Sequence, residues 1–223
     1  MADIVPQLLP VEKSLHQQLD IIKTNVIKMF NYRGYINDDN VKSYTDDLIK
    51  KSSDEHEYII NLDNEYNNSL STNIPSKKII VKMFDYKITS VNKNSPIGEF
   101  ITKNNSMYKF IIVDDINQKS EKSIASYQTE CEVFKISEMM ICIIEHILVP
   151  KHIVLTQEQS KQVLDEYCAK KRDMPFIMST DPVAKYYNMK PGEICKIIRP
   201  SKLTCDAPFY RIVIKSKSMK VKT

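Results

Sequence analysis

Between Lys78 and Ile144 short β-rich runs alternate with helical patches, a rhythm that few folds accommodate. The β-rich runs are Lys78 to Tyr86, Met107 to Val113, Cys131 to Ile136 and Met139 to Ile144. In Ser95-Pro96-Ile97-Gly98-Glu99-Phe100 the serine is placed to cap a helix, and proline takes the first turn, where its missing N–H costs nothing. A second helical patch runs from Gln118 to Tyr127. Strand, helix, strand, helix, strand predicts an α/β layered unit.

Upstream, Leu15, Leu19, Ile22, Val26, Met29 and Phe30 mark one apolar face of an opening helix that ends before Gly34. Asn37-Asp38-Asp39 then caps a second helix carrying Val41, Tyr44 and Leu48. From Lys51 to Ser76 the chain is polar and Asn/Ser-rich, which predicts a loop interrupted by a short element at Tyr58-Ile59-Ile60. Downstream of Pro150 the grammar changes. Thr156-Gln157-Glu158-Gln159 is a capping box, Asp181-Pro182 opens a short helix through Tyr187, and Lys190 to Glu193 is a turn. Ile194 to Arg199 and Phe209 to Ile214 read as strands. The predicted organisation is an α/β unit over 1–147, a small α+β unit over 148–215 and a basic, disordered tail over 216–223.

Three glycines, Gly34, Gly98 and Gly192, are too few and too far apart for a glycine-rich phosphate loop. The five cysteines, at 131, 142, 168, 195 and 205, have no CxxC pair and read as small buried thiols of a reducing compartment. The start Met1-Ala2-Asp3-Ile4 lacks a basic n-region and an apolar h-region, and the run Met139 to Ile144 is far short of a membrane span. The expectation is an intracellular protein without membrane contact. Lysine, isoleucine and asparagine, at 28, 30 and 15 residues, share A/T-rich codons, which hints at an A/T-rich genome. Charge is unevenly placed. Residues 1–149 hold 17 basic and 21 acidic side chains, and residues 150–223 hold 15 and 7, so −4 is followed by +8. The basic third suits either nucleic acid or an acidic protein surface.

Asp85, Asp114 and Asp115, with Lys119 nearby, stand at predicted strand ends, where a metal-dependent nuclease would gather its carboxylates. The bland alternative is a set of solvated loop-edge charges, and Asp85-Tyr86-Lys87 matches a nuclease signature only by a common spacing. Glu145, His146 and His152 lack further ligands at metal spacing, and Cys168 lacks a nucleophile motif. Tyr186 and Tyr187 beside Lys185 and Lys190 suit packing or an interface more than base stacking. No catalytic centre, cofactor site or metal site is predicted, and no small-molecule substrate.

Several blocks in the last third carry a resemblance. They are Leu148-Val149-Pro150-Lys151-His152, Asp181-Pro182-Val183-Ala184-Lys185-Tyr186-Tyr187, Gly192 through Ser201, and Tyr210-Arg211. In order and spacing they closely resemble the fifth subunit of eukaryotic-type DNA-dependent RNA polymerases, whose C-terminal part corresponds to a short subunit of the archaeal polymerase. The opening helix into Arg33-Gly34-Tyr35 and the strands at Lys78 to Asp85 and Phe110 to Val113 resemble that family's N-terminal jaw more faintly. The resemblance implies a non-catalytic polymerase subunit. Its jaw would have a restriction-endonuclease-like α/β fold without nuclease chemistry, and its α+β unit would be the assembly domain.

By the same resemblance, the assembly domain docks on the largest subunit of the polymerase core through Asp181, Pro182, Tyr186, Tyr187, Arg199, Tyr210 and Arg211. The jaw lies along downstream duplex DNA and meets it without sequence preference. At Gln118-Lys119-Ser120-Glu121 only the serine persists from the Thr-Pro-Ser-Ala segment common in the family, so Gln118, Lys119, Ser120 and Lys122 are the expected DNA-facing residues. After Pro200-Ser201 the family's Glu-Thr-Gly gives way to Lys202-Leu203-Thr204-Cys205-Asp206. This drift and the codon bias point to a large DNA virus, with a place in the virion or host cytoplasm; a cellular copy would be nuclear. Alternatives from other classes are a metal-dependent nuclease and a free-standing nucleic-acid-binding module.

Overall fold

A computed structural model describes residues 15–50, 57–61, 78–92, 94–127, 130–201 and 205–215. Helix α1 (Leu15–Tyr32) ends at Gly34, whose φ of 72° lets the chain reverse while the Tyr35 amide donates to the Phe30 carbonyl at 2.8 Å. Helix α2 (Asp38–Lys50) follows, with Asp38 and Asp39 in its first turn, where the helix dipole favours negative charge. The polar loop expected before Ser76 lies outside the described residues except for β1 (Glu57–Asn61).

The alternating region folds as its pattern predicts, with one exception. Strand β2 (Lys78–Phe84), helix α3 (Pro96–Lys103), strand β3 (Tyr108–Val113), helix α4 (Gln118–Ser126) and strand β4 (Cys131–Lys135) follow in order. β2, β3 and β4 are parallel neighbours, and β1 closes the β2 edge antiparallel. Both faces of the sheet are covered, which is why β3 reads as an almost continuous apolar run. Val81, Phe110 and Ile112 point to the layer containing α1, and Ile80, Ile111 and Val113 to the layer containing Ile97, Phe100 and Ile101 of α3. Lys109 is fully buried within β3, its Nζ donating to the Met107 carbonyl at 3.0 Å, and burial lowers its pKa.

The exception is Met139 to Ile144, which is not a strand. Helix α5 (Ile136–Met139) occupies its start and a 3₁₀ turn at Ile143–Glu145 its end. A short apolar run does not by itself separate a strand from a buried helical turn. Here Glu138 accepts from the Lys135 amide at 3.1 Å to start α5, and Asn25 of α1 donates to the Met139 carbonyl at 2.8 Å. The run is apolar because Met139 and Cys142 are buried in the α1 layer.

The C-terminal sheet has the order β5-β7-β8-β6, formed by β5 (Lys151–Val154), β6 (Phe176–Met178), β7 (Ile194–Ser201) and β8 (Cys205–Ile214). Helix α6 (Gln157–Glu166) covers one face around Val163 and Ile194, and α7 (Pro182–Tyr186) covers the other around Ala184, Cys195 and Ile197. β5 and β6 were not expected from sequence; they are four and three residues long, too short to show periodicity. The expected basic tail lies outside the described residues. Among the described residues no helix is long and apolar enough to cross a membrane.

Candidate functional site

Strand alternation decides where the family-derived residues point. In β7 and β8 the register pairs Cys195 with Arg211, Ile197 with Phe209 and Arg199 with Ala207, so all six share one face, the one α7 covers. Asp181 caps α7, its Oδ1 accepting from the Val183 amide at 2.9 Å, and Pro182 holds the first helical position. Beside α7 the covered face opens into a groove of about 890 Å³, lined by Leu148, Asp181, Val183, Arg199, Phe209 and Arg211 among others.

The groove is apolar, and its two arginines outnumber its one acid, Asp181. Leu148 is 83% exposed, Ile147 before it 94% and Phe209 43%. Arg211 lies 5.5 Å from the centre of the Phe209 ring, and its Nε is buried with no hydrogen-bond partner. Among the described residues neither Arg199 nor Arg211 forms an ion pair. Exposed apolar side chains flanked by unpaired guanidinium groups are the composition of a protein–protein hot spot, in which arginine and aromatics dominate.

Three further residues of the expected interface lie elsewhere. Tyr210 alternates away from Arg211, packing on the α6 face at 5.7 Å from Tyr167. Tyr186 is only 5% exposed and packs into the N-terminal core; its hydroxyl is 3.4 Å from the Cys142 sulfur. Burial raises its pKa far above the ordinary phenol value. Tyr187 touches both cores, and burial pushes its phenol up to about 12. The alternation of Tyr210 and Arg211 was readable from their adjacency in a strand. The inward turn of Tyr186 had no local signal.

In the N-terminal unit, Gln118, Lys119 and Lys122 are exposed in the first turns of α4, whereas Ser120 is buried with no partner for its Oγ. Of the acidic trio, Asp85 and Asp114 are exposed. Asp115 is held by Lys87 at 2.7 Å and Lys135 at 2.8 Å, and their hydrogen bonds keep its carboxyl far below the usual carboxylate range. These three residues stand just beyond β3 and β2 and at the end of β4, so the triad ties together the carboxyl ends of the parallel strands. Among the described residues no three His, Cys, Asp or Glu side chains are gathered as a metal ion would require.

The family model for the RNA polymerase Rpb5 C-terminal domain matches residues 141–213, the stretch that builds this groove. Over 70 residues the chain is 49% identical to DNA-directed RNA polymerase subunit Rpo5 of the archaeon Methanothrix thermoacetophila, covering 31% of this chain and 90% of that one. Subunit 5 of the polymerase of Acanthamoeba polyphaga mimivirus is 27% identical over 212 residues, 93% of this chain and 97% of that protein. With the subunit rpabc1 of polymerases I, II and III of Dictyostelium discoideum it shares 33% over 108 residues, 47% of this chain and only 55% of the relative. The match thus spans about half the length of that relative, and the nematode subunits RPABC1 are matched over 39% of theirs. An archaeal subunit 49% identical and matched over 90% of its length, together with the family model over 141–213, means that the chain belongs to the subunit 5 family of DNA-directed RNA polymerases.

Proposed function

We propose that the chain is a non-catalytic subunit of a multisubunit DNA-directed RNA polymerase, docked on the largest subunit through the groove beside α7. The observation that carries this reading is the pair Arg199 and Arg211, brought onto one apolar face without acidic partners. A docking partner with an acidic, apolar segment satisfies both features, because a guanidinium fork pairs with a carboxylate through two hydrogen bonds. Full-length tagged protein, purified from its native source, is expected to bring the polymerase core with it in stoichiometric amount. A free monomer with no trace of the core would refute the reading.

In this proposal 1–147 forms a jaw of restriction-endonuclease-like fold, 148–215 the assembly domain and 216–223 a tail. The protein works inside the cell, in the virion or host cytoplasm if its source is viral and in the nucleus if it is cellular. The jaw's contact with downstream duplex DNA falls to the exposed first turns of α4. There Lys119 and Lys122 stand beside backbone amides whose dipoles favour phosphate. Glu at both lysines is expected to reduce crosslinking of downstream DNA to this subunit in the assembled enzyme several-fold, with a steeper loss as salt rises. An unchanged crosslinking pattern would remove the DNA contact from α4.

A further inference from the structure

α7 is the element on which both units meet: one side lines the groove through Asp181 and Val183, and Tyr186 on the other enters the N-terminal core. A five-residue helix ends with several free carbonyls, and burying them without donors is costly. At the C-terminal end of α7, Asn188 adopts φ 51°, and the Met189 amide returns to the Ala184 carbonyl at 2.9 Å. The Lys185 carbonyl likewise accepts from the Asn188 amide at 3.0 Å, and Arg33, from the turn after α1, adds side-chain donors at this end. Its Nε donates to the Tyr186 carbonyl at 2.7 Å and its Nη2 to the Lys185 carbonyl at 3.1 Å.

The same guanidinium is aimed by the N-terminal unit. Glu132 of β4 accepts from Nη1 at 3.0 Å and Nη2 at 2.8 Å, a bidentate pair with the Arg33 side chain fully buried. Glu132 also accepts from the Tyr108 hydroxyl, which in turn accepts from Asn188 Nδ2 at 3.0 Å. Outside this core, Lys185 reaches Glu138 at 2.7 Å and lies 4.5 Å from the centre of the Phe134 ring. Burial works to strip the proton from Arg33, but the charge and hydrogen bonds of Glu132, with those of Tyr35, together outweigh it and raise the pKa above the ordinary value. The cation therefore persists wherever the protein is folded. It also lies at the negative end of the α7 dipole.

We propose that Arg33 is a positioning residue that locks the two units into one rigid body, by capping α7 from outside the unit to which α7 belongs. A partner seated in the groove beside α7 then sets the direction of the N-terminal unit. The significance of that direction for transcription rests on the docking proposed above, but the lock belongs to the free chain.

Amide residual dipolar couplings of the full-length protein test it. In the unsubstituted chain, couplings from the described residues between 15 and 135 and between 151 and 214 are expected to fit one alignment tensor. In Arg33→Ala both units keep their dispersed spectra, and the common tensor splits into two. Arg33→Lys serves as the second variant. A single ammonium group can stay beside Glu132 but cannot reproduce a two-toothed pair together with two carbonyl contacts, so two tensors are expected there as well. One shared tensor in whichever variant folds would overturn the lock. Loss of native spectra in both variants would overturn it too, because Arg33 would then serve folding and not orientation.

Discussion

The double variant Arg199→Glu, Arg211→Glu is expected to fold and to lose its affinity for the polymerase core by about 1,000-fold, two hot-spot arginines being worth ~2 kcal/mol each. The sign follows from the groove. Its unpaired charges are positive, so an acidic partner meets repulsion after reversal as well as losing two forks. Folding is spared because Arg199 is exposed and Arg211 contributes mainly its contact with Phe209, worth under about 1 kcal/mol at a half-exposed site. The measurement is competition of the variant against unsubstituted protein for the core, with thermal melts beside it. Lys161→Glu on α6, exposed on the opposite side of the sheet, serves as the control and should compete normally. Equal competition by the double variant would move the docking surface away from the groove.

How much of this was readable in advance varies with the distance over which the physics acts. Caps are local, and they were legible. Ser95 Oγ accepts from the Gly98 amide at 3.2 Å, Thr156 and Gln159 exchange bonds at 3.2 and 3.0 Å, and Asp181 caps α7, each at the residue where the sequence places it. Periodicity was legible where an element is long enough to show it, as in α1, whereas a continuous apolar run was a strand at β3 but misled at Met139 to Ile144, where apolarity reflects burial and not backbone shape.

The candidate site was legible only in part. Arg199 and Arg211 were named from the family resemblance, but their meeting in one groove depends on the register of β7 with β8. Glu132 carried no signal at all. Its role depends on a partner 99 residues away in sequence, and the carbonyls that Arg33 caps are 152 and 153 residues from it. Nothing in the neighbourhood of Arg33 distinguishes it from a surface arginine; only the assembled layers do.

Phe110→Ala is expected to lower the stability of the N-terminal unit by about 3–5 kcal/mol. Phe110 is fully buried on β3, between β2 and β4. Its ring meets Phe30 of α1 edge-on at 5.4 Å and stacks on Phe134 of β4 at 4.9 Å. Truncation thus removes the transfer free energy of the ring and both aromatic contacts, and leaves a void between helix and sheet that neighbours tied into a parallel ladder cannot fill. Against a typical total of about 5–15 kcal/mol, a loss of this size leaves the unit marginal at physiological temperature. Phe209→Ala supplies the contrast within the same residue type. Phe209 is 43% exposed at the groove, so its removal should shift stability by under about 1 kcal/mol while weakening association with the core. Urea unfolding followed separately for the two units, through resolved amide signals, distinguishes the two cases. A Phe110→Ala midpoint within about 1 kcal/mol of the unsubstituted protein would mean that the α1 layer collapses around the void, and that the packing of α1 on the sheet is less rigid than the Phe30, Phe110 and Phe134 geometry requires.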